Sequence, residues 1–173
     1  MKLVRLTKEN EELFINMNQE AFQKGYEEYF GKTEEQIIPR EDILSSLYTK
    51  GSNAFLAVEK DEIVGGVCVV IDEDTNINDL HLLFVKVGVQ SKGIGFAIWN
   101  EIERMYPKTK VWKTCTPYFD KRNIHFYVNK CKFHIVEYLN NHNAKSDSAD
   151  DFIGDGDEGM FEFEKEIKIG KKR

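Results

Sequence analysis

The stretch from Leu80 to Thr116 places the strongest limit on the fold of this chain. An apolar, strand-like run ends at Val85, and a second β-rich run covers Val111 to Thr116. Between them, apolar residues recur at helical spacing, at Ile94, Ala97, Ile98, Ile102 and Met105. A helix that connects two strands of one sheet in this way makes the strands parallel, with a right-handed crossover. The sequence therefore predicts an α/β fold whose sheet contains a parallel pair.

A glycine-containing turn opens that helix. Residues 90–95 read Gln-Ser-Lys-Gly-Ile-Gly. Glycine lets the backbone approach a ligand closely, and the first turn of a helix has unpaired N–H groups, so the turn suits a phosphate or pyrophosphate. A Walker A loop would need a Lys-Ser/Thr pair after Gly95, and a dinucleotide fingerprint would need glycine at Ile98. Two interpretations remain: a Gln-x-x-Gly-x-Gly anion loop and an ordinary strand-to-helix turn.

The rest of the chain supplies the other elements of a mixed sheet. Two helices, with apolar faces at Leu13–Ala21 and Ile43–Tyr48, follow the first strand, and Gly25–Ile38 between them is predicted to be a loop or a broken helix. A short helix is expected around Tyr127. The predicted strands are residues 3–6, 54–58, 63–71, 79–87, 111–116, 133–139 and 160–167. The predicted order is β-α-α-β-β-β-α-β-α-β-β, with helices on the faces of the sheet.

Composition limits the class of protein. A chain of 173 residues is expected to form a single domain over residues 1–173. No apolar run approaches the roughly 20 residues that span a bilayer, so we expect no membrane association and a cytoplasmic location. Cys68, Cys115 and Cys131 lack metal-ligand spacing, which predicts reduced thiols and no metal. A formal net charge of −6 argues against a nucleic-acid partner.

The negative charge is concentrated in residues 147–158, which are expected to form a loop between the last two strands. This segment contains no Lys or Arg, and its acidic residues are Asp147, Asp150, Asp151, Asp155, Asp157 and Glu158. Three interpretations are open: a solvated loop, an electrostatic guide for a cationic amine, or a metal loop. The last has the weakest support, because the ligand spacing of an EF-hand is missing.

Two motifs and the order of the elements resemble the GNAT superfamily of N-acetyltransferases. Gln90–Gly95 is similar to the acyl-coenzyme A loop of that family. Residues 126–133, Phe-Tyr-Val-Asn-Lys-Cys-Lys-Phe, resemble its Phe-Tyr-x-x-x-x-Gly-Phe signature, with Lys132 in place of the glycine. Asp120 stands where the family often has Asn. The resemblance implies a GNAT-like fold in which the fourth and fifth strands are parallel and splayed.

The resemblance also implies a site for acetyl-CoA, without a metal. The backbone amides of the glycine loop would hold the pyrophosphate, and main-chain groups around the end of the fourth strand would align the pantetheine arm. The implied cofactor-binding residues are Val85, Val87, Gln90, Ser91, Lys92, Gly93, Ile94, Gly95 and Phe96.

Two side chains are the candidates for catalysis. By the resemblance, Tyr127 lies beside the thioester sulfur and would act as general acid; a core tyrosine is the alternative. Family members often place a Glu base on the fourth strand, where this chain has Asp79 and His81, two residues apart and therefore on one face. His81 has the better unperturbed pKa for a base at neutral pH; the equal alternative is that His81 is a solvated strand residue, or that the acceptor loses its proton through water. The sequence does not orient His125 or His134.

Cys115, on the predicted fifth strand, invites a covalent acyl-cysteine interpretation. It has no His neighbour in sequence to activate it, and packing accounts for it adequately. The resemblance implies direct transfer in a ternary complex instead.

The expected function is transfer of an acetyl group from acetyl-CoA to a primary amine. The acceptor is a small amine such as a polyamine, a peptide or a protein lysine, and the acidic composition favours a cationic one. The alternative is a non-catalytic acyl-CoA sensor or interaction module on the same fold. Pairing of two copies through the final strands is common in similar folds, and the sequence does not decide it.

Overall fold

The computed structural model describes residues 1–90, 92–140 and 159–167, so that Ser91 and the acidic segment 147–158 lie outside the described residues. The strands are β1 (Lys2–Arg5), β2 (Ser52–Glu59), β3 (Glu62–Val70), β4 (Ile77–Val85), β5 (Val111–Pro117), β6 (His134–Leu139) and β7 (Met160–Glu166). The helices are α1 (Lys8–Phe30), α2 (Arg40–Tyr48), α3 (Ile94–Met105) and α4 (Lys121–His125). Their order along the chain is the predicted one.

Seven strands form a mixed sheet in the order β1-β2-β3-β4-β5-β7-β6. β4 and β5 are parallel, and the pairs Ile77 with Val111, Asn78 with Trp112 and Asp79 with Lys113 lie at the start of both strands. β2 is antiparallel to β1 and β3, and β7 is antiparallel to β5 and β6. The predicted α/β class with a parallel central pair is confirmed.

The chain divides into two compact units, and the first contains residues 1–71 and 80–107. Its core consists of Phe14, Ile15, Met17, Ile38, Ile43, Leu56, Cys68, Leu82 and Phe84. At the centre, the rings of Phe14 and Phe84 meet edge to face with their centroids 5.0 Å apart. A Cβ atom on Gly66 would lie 2.7 Å from the Phe14 ring and 2.6 Å from the Phe84 ring. The absence of a side chain at Gly66 therefore permits this pair to form.

Helix α1 is longer than the sequence indicated. Residues 25–30, predicted as the start of a loop or broken helix, continue the helix to Phe30. Contacts one turn apart support this extension: the Tyr26 and Phe30 rings lie 4.7 Å apart, and Gln23 donates a 3.0 Å hydrogen bond to Glu27. The helix ends at Gly31, which has φ +84° and donates its N–H to the Glu27 carbonyl.

Strand β4 begins and ends two residues earlier than predicted. It is preceded by a turn in which the Asp72 carboxylate accepts hydrogen bonds from the backbone N–H groups of Asp74 and Thr75. At its far end the chain turns again, because the Val89 N–H donates to the Lys86 carbonyl. The segment 86–89 is therefore a loop.

The second unit contains residues 72–79 and 108–173. Its described part includes β5, β6, β7 and α4, and its buried side chains include Trp112, Phe133 and Phe163. Helix α4 is capped by Asp120, whose carboxylate accepts a 2.9 Å hydrogen bond from the Asn123 N–H. A π-helical turn over Phe126–Lys130 follows it directly.

No helix in the described part of the chain is both long enough and apolar enough to cross a bilayer.

Candidate active site

The glycine loop of the first unit has the geometry of an anion site. Gly93 lies just before α3 with φ +76° and ψ 7°, and a Cβ atom there would meet no heavy atom of the described residues within 4 Å. The helical hydrogen bonds begin with the Ala97 N–H and the Gly93 carbonyl, 3.0 Å apart. The N–H groups of the first helical turn precede that bond and carry the positive end of the helix dipole. This end of α3, with the exposed Lys92 before it, fits a pyrophosphate.

Packing of α3 holds the loop in place. Its buried face consists of Ile94, Ile98, Trp99 and Ile102. A Cβ atom on Gly65 in β3 would lie 2.4 Å from the Phe84 carbonyl oxygen and 3.1 Å from Ile98 Cδ1. The helix therefore lies closely against the sheet within this unit, which orients the first turn.

Three other residues predicted to bind the donor come shortly before Gly93 in sequence. Val85 is the last residue of β4, and Val87 lies in the loop that follows; both are partly exposed, as is Gln90. The Lys86 N–H between the valines donates to the Val64 carbonyl at 2.9 Å, which ties this connection to β3. The roles of these residues stay predictions.

His81 lies in β4, in the first unit, and is an exposed residue of that strand. Desolvation by the surrounding protein lowers the pKa of its imidazole below the ordinary value of 6.5. At neutral pH the ring is therefore uncharged, and one nitrogen keeps the lone pair that a general base needs. The direction of this shift agrees with the predicted role without testing it.

Tyr127, in the second unit, lies in the π-helical turn. That turn is closed by the Cys131 N–H, which donates to the Phe126 carbonyl at 3.0 Å. The Tyr127 ring is 6% exposed and packs against Phe133 and Phe163, with centroids 5.7 and 5.5 Å away. Burial raises the pKa of its hydroxyl, and the Thr114 side chain partly opposes this shift. Tyr127 therefore keeps its proton at neutral pH, as a general acid must.

Lys132, which replaces the expected glycine, does adopt the left-handed conformation, with φ +66°. Its ammonium group donates a 2.8 Å hydrogen bond to the Asn129 carbonyl at the end of the π-helical turn. The next residue, Phe133, donates its N–H to the Tyr127 carbonyl at 2.9 Å. The side chain of Lys132 thus caps the π-helical turn that contains Tyr127, while its own backbone is in the left-handed conformation.

Asp79 and Cys115 in the second unit both have raised pKa values, which strengthens a carboxylate as a base but disfavours the nucleophilic form of a thiol. Burial raises the pKa of Asp79, with a smaller contribution from Glu162 and an opposing one from Lys113. Desolvation, together with Glu162 and Asp79, raises the pKa of Cys115 to about 11, although part of the residue is exposed. Since the thiolate is the nucleophilic form, this pKa counts against an acyl-cysteine intermediate.

The two histidines that the sequence left unoriented have partners within the second unit. His125 Nδ1 lies 2.8 Å from the Asn129 side-chain nitrogen. His134 begins β6 and is paired in register with Glu164 of β7. Among the residues that the structure describes, no group of three or more His, Cys, Asp and Glu side chains is arranged to hold a metal ion.

One partner of the candidate site was missed by sequence reasoning. Thr114 is buried on β5 and acts to lower the pKa of Tyr127 against the effect of burial, but a threonine inside a strand pattern gives no signal of its own. The alternation of buried Trp112, Thr114 and Thr116 along β5 was the available indication that its side chain points inward.

Comparisons with known proteins agree with this geometry. The profile of the acetyltransferase (GNAT) family matches residues 12–133. An uncharacterized protein of Bacillus subtilis strain 168, YrkN, is 41% identical over 161 residues, which cover 90% of this chain and 85% of that protein.

Two solved structures share the fold at low sequence identity. The ribosomal-protein-S18-alanine N-acetyltransferase of Escherichia coli aligns with a TM-score of 0.71 and 12% identity, over 99% of this chain and 96% of that one. The PaiA N-acetyltransferase of Thermoplasma acidophilum, solved in complex with coenzyme A, aligns with a TM-score of 0.67 and 19% identity, over 96% and 98% of the two chains.

Proposed function

Because the chain belongs to the acetyltransferase (GNAT) family, and is therefore an N-acetyltransferase that uses an acyl-CoA, we propose that it transfers the acetyl group of acetyl-CoA to a primary amine. The observation that carries the choice of donor site is the left-handed Gly93 at the start of α3, with open space at its Cβ position. The proposed acceptor is a cationic small amine, a peptide or a protein lysine. The proposal treats residues 1–173 as one cytoplasmic acyltransferase domain.

The donor is held by main-chain groups in this proposal. The amides of Gly93, Ile94, Gly95 and Phe96 would bind the pyrophosphate, with Gln90, Ser91 and Lys92 forming the rest of the loop. Val85 and Val87 would align the pantetheine arm. The pyrophosphate site is supported by the packing of the buried face of α3, because this packing orients the N–H groups of the first turn before a ligand binds.

Two side chains are proposed to move protons. His81 would accept a proton from the amine, directly or through a water molecule, so that the nitrogen lone pair attacks the thioester carbonyl carbon. As the carbon–sulfur bond breaks, Tyr127 would donate its phenolic proton to the thiolate. Holding amine and thioester together supplies part of the rate enhancement, up to roughly 7–11 kcal/mol in the best intramolecular cases.

Calorimetric titration with acetyl-CoA is the first test. Wild-type protein is expected to bind in the micromolar range, and the Gly93→Asp, Gly95→Asp double variant is expected to lose binding, because carboxylates would occupy the anion site. Absence of binding by folded wild-type protein would overturn the proposed site.

A screen of primary amines then tests transfer. Polyamines, lysine-containing peptides and aminoglycosides are incubated with acetyl-CoA, and both released thiol and acceptor mass are measured. Thiol release that requires the amine, with a mass gain of one acetyl group, supports the proposal. Tight binding without transfer to any acceptor would favour the acyl-CoA sensor instead.

A further inference from the structure

Glutamine side chains tie the connection between α1 and α2 to α1. In the described part of the chain, residues 32–38 form no backbone–backbone hydrogen bond. The Gln23 Nε2 atom instead donates to the Glu35 carbonyl at 3.1 Å and to the Thr33 carbonyl at 3.5 Å. The Gln23 Oε1 atom accepts the N–H of Ile37 at 3.1 Å. One side chain therefore supplies three of the hydrogen bonds that hold residues 32–38, here called the strap, against the helix.

The partners of Gln23 fix the orientation of its amide group. Besides the two carbonyls of the strap, Nε2 faces the Glu27 carboxylate at 3.0 Å. These three groups are acceptors, whereas the group that faces Oε1 is an N–H donor. A side chain that lacked the nitrogen donor or the oxygen acceptor would therefore lose part of these contacts.

The two ends of the strap are held differently. Gly31 precedes it with φ +84° and ψ 174°, a backbone region that is essentially restricted to glycine, and no described heavy atom lies within 4 Å of its Cβ position. At the other end, Ile38 is 7% exposed and belongs to the core of the first unit. Gln19 donates to the Ile38 carbonyl at 2.9 Å, and Pro39 follows with its φ fixed at −59°. The strap therefore begins at a conformationally free residue and ends at an anchored one.

Opening of the strap costs little compared with unfolding. A protein hydrogen bond contributes little net stability, because the same groups bond to water when they are released. Four side chains of the strap are already exposed, and Ile37 is partly buried: the exposed ones are Lys32, Glu34, Glu35 and Gln36. Segments with few buried apolar contacts open locally, at a free energy below that of global unfolding.

We propose that the strap is a hinged element that opens as one unit, with Gly31 as its hinge and Gln23 as its latch, while Ile38 stays buried. Opening releases the strap carbonyls to water and exposes the Gln23 and Glu27 side chains on α1. Because Ile38 stays in the core that it shares with Phe84, β4 is left in place. A ligand that binds one of the two states better shifts the population between them. The inference is independent of the proposed function.

Limited digestion with trypsin tests the latch, because Lys32 is a cleavage site inside the strap. When opening and closing are fast relative to cleavage, the cleavage rate follows the population of the open state. Gln23→Met is expected to speed cleavage after Lys32 about ten-fold or more, since several hydrogen bonds are lost together. Cleavage after Lys24, within α1, reports unfolding of the helix and is expected to be unchanged. Thermal melting confirms that each protein is folded.

The chain offers a matched control at Gln19. It lies one turn before Gln23 on α1, is also partly buried, and bonds to Ile38, which burial holds in place. Gln19→Met is therefore expected to be cleaved after Lys32 at the wild-type rate. Gln23→Glu is the second variant: it has the same size and keeps an oxygen toward Ile37 but loses the donor. It is expected to be cleaved at least as fast as Gln23→Met.

Hydrogen exchange of the wild-type protein gives a test that needs no variant. The Glu35 N–H donates to the Thr33 hydroxyl at 3.1 Å, and the Ile37 N–H donates to Gln23. Both amides are expected to show one opening constant, about ten-fold or more above that of the α1 amides. Exchange of Ile37 as slow as that of α1 would overturn the proposal.

Three digestion results would also overturn it. The first is cleavage of both Gln23 variants after Lys32 at the wild-type rate, because the latch would then lie elsewhere. The second is equal acceleration by Gln19→Met. The third is equal acceleration after Lys24 and Lys32, because the strap would then open only when the helix unfolds.

Discussion

Substitution of Gly93 by alanine distinguishes a ligand-binding loop from an ordinary turn. Gly93 has φ +76°, so alanine there is strained by about 1–2 kcal/mol. In the part of the chain that the structure describes, nothing lies within 4 Å of the added Cβ, so no steric clash there adds to that cost. The expected change in melting temperature is a decrease of about 2–8 °C, at about 2–4 °C per kcal/mol for a chain of this size.

Gly31 supplies the matched control. It has φ +84°, ends α1 and also has open space at its Cβ position. Gly31→Ala should lower the melting temperature at least as much, because ψ 174° places Gly31 in a backbone region that is essentially restricted to glycine. It is distant in sequence from the glycine loop and is not expected to alter the affinity for acetyl-CoA.

The two variants should differ in calorimetric titrations with acetyl-CoA. If the Gly93 backbone approaches the pyrophosphate closely, the new methyl group displaces the anion and breaks at least one charge-assisted hydrogen bond, worth about 1.5–3 kcal/mol. The Kd of Gly93→Ala should then rise about 10- to 150-fold, at ten-fold per 1.4 kcal/mol. Equal affinities of the Gly93→Ala and Gly31→Ala proteins would refute the reasoning. If Gly93→Ala unfolds, Gly93→Asn is the substitute, since Asn tolerates the left-handed region better.

Three further outcomes are expected. Tyr127→Phe should lower kcat about 100-fold or more while the affinity for acetyl-CoA is unchanged, and an unchanged kcat would remove Tyr127 from the mechanism. Because desolvation lowers the pKa of His81, wild-type kcat should stay level near pH 7 and fall only as the pH drops below the ordinary pKa of 6.5. His81→Gln should abolish this decrease of kcat at acidic pH. A decrease that persists in the variant would exclude His81 as the base. Asn18 is fully buried on α1, and in the described part of the chain neither amide atom has a hydrogen-bond partner. Asn18→Leu should therefore raise the free energy of unfolding in urea by about 1–3 kcal/mol, whereas a decrease would reveal a partner for the amide.

The fold could be predicted from the sequence where local signals agreed. The apolar spacing after Gly93 marked α3. The strands predicted at residues 54–58 and 63–71 are present as β2 and β3, joined by a tight turn in which Lys60 and Asp61 are both left-handed. The parallel pairing of β4 with β5 followed from the crossover helix. The family resemblance, which rested on residues 90–95 and 126–133, is confirmed by the match over residues 12–133.

Other features depend on contacts that a linear pattern does not contain. The extension of α1 to Phe30 relies on side-chain contacts one turn apart, against the low helix propensity of Gly25. The π-helical turn that carries Tyr127 is closed by a hydrogen bond between residues five apart, Phe126 and Cys131, instead of the four of an α-helix, and residue spacing does not reveal this. Thr114 faces Phe163, against which the Tyr127 ring packs, and this neighbourhood depends on the placement of β5, β7 and the π-helical turn. The predicted roles of His81 and of the donor-binding residues stay predictions.

The backbone at Lys132 shows the structural role of the glycine in the Phe-Tyr-x-x-x-x-Gly-Phe signature. A left-handed residue is needed after the π-helical turn, and here a lysine meets that need by donating to the Asn129 carbonyl. The structural requirement at this position of the signature is therefore a left-handed backbone conformation, which glycine adopts most easily and which Lys132 also adopts. A sequence pattern that requires glycine at this position would miss this chain, whereas a pattern that also accepts residues able to cap the turn would include it.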